Sequence, residues 1–177
     1  PIGDASPVLL ALNASLLLQR GEQQRSLPLD QFFTGYRQTQ LEKGEFIRAI
    51  RIDKVTVSPD FVAWKVSKRL DDDISAVFAA FNLQMEQGVV SSARIAFGGM
   101  AATPQRARHC EQALVGQLLS SVTVSRAAAA LAEDFQPLSD FRASSNYRLQ
   151  VARNLLRRYW HRHHGEITCL EVSRYVS

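Results

Sequence analysis

A chain of 177 residues is long enough for one domain or two small ones. Hydrophobic residues make up 46% and charged residues 21%, which excludes a disordered composition and predicts a sizeable core. The formal charge of +4 suits an acidic partner, yet without a patterned basic surface it does not point to nucleic acid.

In chain order, Pro1 to Pro7 is turn-rich, a composition that normally connects two elements, so the chain is expected to start in mid-domain. Asp4 or Ser6 can cap a short helix through Pro7 to Leu12, since a side-chain oxygen accepts an orphan N–H there. Ser15 to Arg20 and Gln24 to Leu29 then read as a hairpin about Gly21-Glu22, followed by one helical turn from Asp30 to Gly35. Glu45 to Ile52 alternates apolar with polar residues, as a half-buried strand does. Residues 1–54 are expected to form a small, incomplete αβ unit, with a boundary in the polar stretch from Asp53 to Asp60.

Three strands are predicted next, over Asp60 to Lys68, Ile74 to Glu86 and Val89 to Phe97, the last two joined by a tight turn at Gln87-Gly88. Val77, Ala79, Phe81, Leu83 and Met85 share one face of the second strand. Phe97-Gly98-Gly99-Met100 ends the third with glycines, where a backbone must bend or come close to another surface. From Pro104 the period becomes helical: Arg106 to Leu119, Val124 to Glu133 after Thr123, and Ser145 to His164 with Ser144 as cap and Gly165 as stop. Leu149, Ala152, Leu156 and Tyr159 recur at helical spacing and are core candidates. The expected fold is therefore α+β, an αβ unit followed by an antiparallel three-stranded sheet covered by a three-helix bundle over residues 60–165, with 166–177 as a tail.

The two cysteines, Cys110 and Cys169, form no Cys-x-x-Cys pair, so neither a disulfide framework nor a thiolate metal site is signalled and a reducing cytoplasm is expected. No apolar run approaches the roughly 18–20 residues that span a bilayer, so no membrane is expected. His109, His161, His163 and His164 all fall in helical segments without a strand-Ser-helix elbow, which argues against a hydrolytic triad. The run His161 to His164 lacks the Glu and spacing of a zinc-protease helix and reads as cations at a helix C-terminus. Arg142, Arg148, Arg153, Arg157, Arg158 and Arg162 make the last helix basic, which fits a solvated face or an acidic partner; a nucleic-acid-binding or assembly domain is the rival of another class.

The most informative segment runs from Trp64 to Val77. Three successive carboxylates, Asp71, Asp72 and Asp73, follow Lys68 and Arg69, and such charge density is costly unless it is solvated or has a task. It reads either as a charged turn between two strands or as electrostatic control of a bound group, with Lys65 facing an anion-forming partner and Asp71 to Asp73 as a negative flap.

Ser6-Pro7, Phe32-Phe33-Thr34-Gly35-Tyr36-Arg37, Glu45-Phe46-Ile47, Lys65 through Ile74 and Phe97-Gly98-Gly99-Met100-Ala101 occur in the order in which the xanthine dehydrogenase flavin-subunit family has them, and the chain resembles that family from Pro1 to about Gly165. The resemblance implies residues 1–54 as the distal part of an FAD-binding domain and 60–165 as the family's C-terminal domain. It implies a subunit that carries FAD and iron–sulfur clusters beside a large molybdenum-cofactor subunit and relays electrons through FAD to NAD in purine oxidation. An aldehyde or carbon monoxide oxidising relative is the alternative within the same architecture. Carried over position by position, Asp4 and Ile47 resemble FAD contacts, Lys65 a lysine beside the flavin ring, and Asp71 to Asp73 the acidic loop that influences access of NAD. Leu70 stands where some animal relatives have a second arginine, so their switching between dehydrogenase and oxidase is not implied.

Overall fold

The computed structural model describes residues 3–69 and 72–165; Leu70, Asp71, Cys169 and the expected tail at 166–177 lie outside the described residues. The first unit consists of α1 (Ala5–Ala11), β1 (Ser15–Arg20), β2 (Gln23–Pro28), α2 (Leu29–Phe32), β3 (Phe33–Gly35), β4 (Gln38–Thr39) and β5 (Phe46–Arg51). Its main sheet is antiparallel in the order β2-β1-β5, and β3 pairs only with β4. The expected hairpin is present, and the helical turn after it is shorter than expected because the chain extends again from Phe33.

The second unit holds β6 (Val62–Val66), β7 (Val77–Glu86), β8 (Val89–Gly98) and β9 (Gln105–Arg106), antiparallel in that spatial order. The predicted meander thus gains a two-residue fourth strand, which no run of apolar residues announces. Gln87 and Gly88 both adopt positive φ, 52° and 81°, the turn that matches the twist of the strands it joins. Three helices follow: α3 (Arg108–Leu114), α4 (Ser121–Asp134) and α5 (Ser145–His164). The first is much shorter than the expected span from Arg106 to Leu119, because the chain turns at Gly116 (φ 76°) and Leu118 pairs with Val89 at the sheet edge. The second begins at Ser121, earlier than the expected start after Thr123, because Ser120 caps it by accepting the Thr123 N–H at 3.2 Å. Ser144 caps α5 and Gly165 closes it in the left-handed conformation, as the sequence predicts.

Packing on β7 organises the molecule. Val77, Ala79, Phe81 and Leu83 face a core built with β8 and α3 to α5, where Phe81 stacks on Tyr159 and meets Phe97 edge to face. The alternate residues Phe78 and Ala80, with Ala96 of β8, are buried on the opposite face with Leu10, Ala11, Leu16 and Leu18 of the first unit. The sequence places helices on one face only; in the structure α1 of the first unit packs on the other face of the β6-β7-β8-β9 sheet. Asn82, buried on that second face, donates to Ala11 O at 3.0 Å and Thr56 O at 2.8 Å and accepts the Ser58 N–H at 2.8 Å. Arg94 donates to Leu10 O through Nε and Nη2, so the C-terminal carbonyls of α1 are held by the sheet itself.

One expectation is overturned. The alternating segment that forms β5 is exposed throughout, although Ile50 and Ile47 stand opposite the buried Leu16 and Leu18. Alternation records which side chains could be buried, whereas burial needs a covering layer, and β5 is an edge strand joined to the sheet through β1.

Candidate functional site

Asp4 occupies the N-cap position of α1 without capping it. Its carboxylate turns toward the second unit instead: Oδ2 lies 3.1 Å from the Lys65 ammonium, and Oδ1 accepts the Ser75 hydroxyl at 2.5 Å. Lys65 projects from β6, Ser75 lies just before β7, and the Ala76 N–H donates to Val66 O at 2.8 Å, so the two positions are locked side by side. Ser75 is buried at 2% exposure, whereas Asp4 and Lys65 keep 38% and 36% of their side chains exposed. The cluster therefore forms an open rim that can present a carboxylate and an ammonium to a ligand.

The acidic loop, Asp71 to Asp73, begins six residues after Lys65, and its members differ. Asp73 is tied down: Oδ2 accepts the Arg69 N–H and Oδ1 the Ile74 N–H, both at 2.9 Å. The Arg69 N–H foremost, then the Ile74 N–H, hold its carboxyl below the ordinary value of 3.8. Asp72 is exposed at φ 50°, a left-handed conformation that Asp tolerates better than most residues. Asp71 lies outside the described residues. Lys68 Nζ donates to Phe141 O at 2.7 Å, which fastens the loop to the turn before α5. Between the two segments lies a cleft of about 310 Å³ that Asp72, Asp73, Arg69 and Arg142 help to line.

Ile47 is not brought into this cluster. It lies on β5, 42% exposed, in a different sheet from Lys65. The sequence reading missed Ser75 and Arg148. Ser75 offered no signal beyond being the last polar residue before an apolar run. Arg148 did offer one, because it lies one helical repeat before Ala152, Leu155 and Tyr159 on the buried stripe of α5, where a cation needs a reason.

A second charged group lies where β8, β9 and the end of α4 meet α3. Glu111 accepts the Ile95 N–H at 2.7 Å and the Arg106 guanidinium at 2.6 and 3.0 Å, and burial pushes its carboxyl up despite these donors. Burial likewise lowers Arg94 to about 10. Asp134 accepts the N–H groups of His109 and Cys110 and lies 2.9 Å from the His109 ring. These contacts are satisfied within the fold and read as structural. Cys110 is buried, and burial pushes its thiol well up, which keeps it inert. No group of His, Cys, Asp and Glu among the described residues could hold a metal ion, and no helix among them is long and apolar enough to cross a membrane.

Residues 62–163 match the CO dehydrogenase flavoprotein C-terminal domain, and residues 1–54 match the FAD binding domain in molybdopterin dehydrogenase. The chain belongs to the molybdenum hydroxylase flavoprotein family. Xanthine dehydrogenase of Emericella nidulans is 33% identical over 91% of this chain, which corresponds to 12% of that protein. The glyceraldehyde dehydrogenase medium chain of Sulfolobus acidocaldarius is 30% identical over 88% of this chain and 54% of its own length. Among solved structures, carbon monoxide dehydrogenase from Hydrogenophaga pseudoflava superimposes with a TM-score of 0.81 at 27% identity, over 88% of this chain and 54% of that one. The chain thus spans about half the length of the flavoprotein chains it matches, and a smaller share of the longer dehydrogenases. In this family member, Asp4 lies in the segment that matches the FAD-binding domain and Lys65 and Ser75 in the segment that matches the flavoprotein C-terminal domain, so the rim cluster joins the two.

Proposed function

We propose that this chain is the distal FAD-binding and electron-transfer portion of a larger molybdenum hydroxylase flavoprotein, and that it relays electrons from molybdenum and iron–sulfur centres through FAD to NAD. The observation that carries the reading is the meeting of Asp4 with Lys65 and Ser75 where the two matched segments adjoin. The donor set suits a flavin dinucleotide: Asp4 can accept a hydrogen bond from a ribityl or ribose hydroxyl, and Lys65 can stand beside a group that gains negative charge. Ile47 supplies an exposed aliphatic surface for a ring, and Asp72 a negative charge at the edge of the site, with Asp71 beside it in sequence. A bound flavin would supply two-electron chemistry toward NAD; Asp4, Lys65 and the loop would position it and adjust its charge balance.

The molybdenum-cofactor subunit, iron–sulfur centres and a cytoplasmic location belong to the same proposal. Purine oxidation is its substrate term, supported by the xanthine dehydrogenase relative. A carbon monoxide or aldehyde oxidising complex is the second reading, favoured by the TM-score of 0.81 and by the larger share of the medium chain that is matched. A nucleic-acid role draws little support from α5, because Arg148 is buried, Arg153 bonds Ala128 O and Arg158 lies over the Trp64 ring.

The test is a comparison of the 177-residue chain with the complete flavoprotein. The isolated chain should be colourless and melt at a midpoint that hardly responds to added FAD, since a long flexible ligand held by one wall binds weakly. The complete protein should carry flavin that NADH bleaches without oxygen. Flavin bound stoichiometrically to the isolated chain would place more of the site here than is proposed, and a complete protein without flavin would refute the reading. Flavin that NADH leaves yellow would remove NAD from it.

A further inference from the structure

Arg148 is 2% exposed, and three chain segments converge on its guanidinium. Nη1 donates to Ala76 O and, at 2.9 Å, to Gly99 O, while Nη2 donates to Asp140 Oδ1 at 2.7 Å. Two of these partners lead to the rim and its loop. Ala76 follows Ser75, whose hydroxyl holds Asp4, and its own N–H is held by Val66, the neighbour of Lys65. Asp140 shapes the turn before α5 by accepting the N–H groups of Arg142 at 2.8 Å and Ala143 at 3.1 Å, and Phe141 in that turn anchors Lys68 of the acidic loop. Gly99, at φ 79°, makes the convergence possible: a Cβ there would run into Ala76 O and come within 3.1 Å of Nη1.

Stability alone does not explain this arginine. A buried cation is costly to desolvate and can often be replaced by an apolar residue without loss, and Nε of Arg148 finds no hydrogen-bond partner among the described residues. What the planar fork provides is geometry, because it fixes directions as well as distances.

We infer that Arg148 is a positioning residue for the flavin rim, setting the Asp4–Lys65–Ser75 cluster through Ala76 and the acidic loop through Asp140 and Phe141. The inference rests on the flavin-facing reading of that rim. Arg148 touches neither substrate nor cofactor in this role; it acts through Ser75 and Lys68.

The test is a double-mutant cycle in the FAD-loaded, full-length flavoprotein, reading flavin midpoint potential, FAD affinity and melting midpoint. Arg148→Lys keeps the charge and loses the fork. It should weaken FAD binding by about tenfold, the effect typical of residues that orient ligating groups. The potential shift produced by Lys65→Met should also shrink in the Arg148→Lys background, since residues acting in one network are not additive. Asp140→Ala removes the turn-side partner, Oδ1 that accepts from Arg148, Arg142 and Ala143, and should give the same non-additivity, which keeps the test open should Arg148→Lys fail to fold. A lower melting midpoint with unchanged FAD affinity and a full-sized Lys65→Met shift would make Arg148 a structural clip and overturn the inference. Should Lys65→Met and Asp4→Asn leave potential and affinity untouched beside an intact Arg148, the flavin-facing reading itself falls, and the inference with it.

Discussion

Lys65 and Asp4, 61 positions apart in the chain, meet at 3.1 Å, so the ammonium proposed to face the flavin is already shared with a carboxylate. Both side chains are more than one-third exposed, and an ion pair of that kind adds little to stability. Its consequence is electrostatic. Lys65→Met should lower the flavin midpoint potential, and Asp4→Asn, which frees the ammonium, should raise it. At effective dielectric constants between water and a protein surface, both shifts should be on the order of tens of millivolts. Spectroelectrochemical titration of the two variants checks the signs, and shifts in the same direction would dissolve the pairing argument.

Asp72 and Asp73 should separate in behaviour. Asp72→Ala removes an exposed negative charge, should raise the flavin potential and should change the balance between NAD and oxygen as acceptors. Asp73→Asn weakens the clasp on the Arg69 and Ile74 N–H groups, so it should loosen the loop and raise KM for the acceptor more than it moves the potential. Steady-state kinetics with both acceptors distinguishes the two effects, and identical profiles would mean that the loop acts only as a charged connection.

Asn82 offers a stability test. Asn82→Ala would strand the Ser58 N–H and the Ala11 carbonyl, and would leave the Thr56 carbonyl only the longer bond from the Gln84 amide at 3.4 Å. The expected loss is about 3 kcal/mol, since each abandoned buried group costs roughly 1–3 kcal/mol and partial hydration returns some of it. Denaturant unfolding measures this; a loss below about 1 kcal/mol would mean that water replaces the amide.

Acid should act through Asp140. Burial pushes this carboxyl up, but the N–H groups of Ala143 and Arg142 and the Arg148 guanidinium outweigh it and hold it below its ordinary value of 3.8. A depressed carboxyl contributes stability that is complete above its unfolded value and lost as pH falls through the folded one. The melting midpoint of the parent should therefore fall more steeply from about pH 5 to pH 2 than that of Asp140→Asn, which has no such charge to lose. Parallel acid profiles would remove Asp140 from the account.

Much of the second unit was legible because its elements announce themselves locally. Gln87-Gly88, the Ser144 cap, the Gly165 stop and the alternation along β7 all act within a few residues. The rim was legible only in part. Asp4, Lys65 and the acidic loop carried family motifs, but Ser75 gains its role from a partner 71 positions away, and no local pattern encodes that. Arg148 could have been found as a cation on an apolar stripe. The fate of β5 could not, since Phe46 to Arg51 has the alternation of a covered strand and differs only in lacking a cover.

A strand buried on both faces also constrains inheritance. Phe78 and Ala80 belong to one core, Ala79 and Phe81 to the other, and a slip of one residue in β7 would exchange the two sets at once. The same backbone thus answers to two independent packing demands, and neither half can be exchanged between relatives as a module. A graft that brings a foreign first unit to this sheet must carry its own complement to Phe78, Ala80 and Ala96, with carbonyls placed for Asn82 and Arg94. Recombination should therefore succeed where residues 1–165 travel as one piece and fail where it cuts at the linker around Asp53 to Asp60.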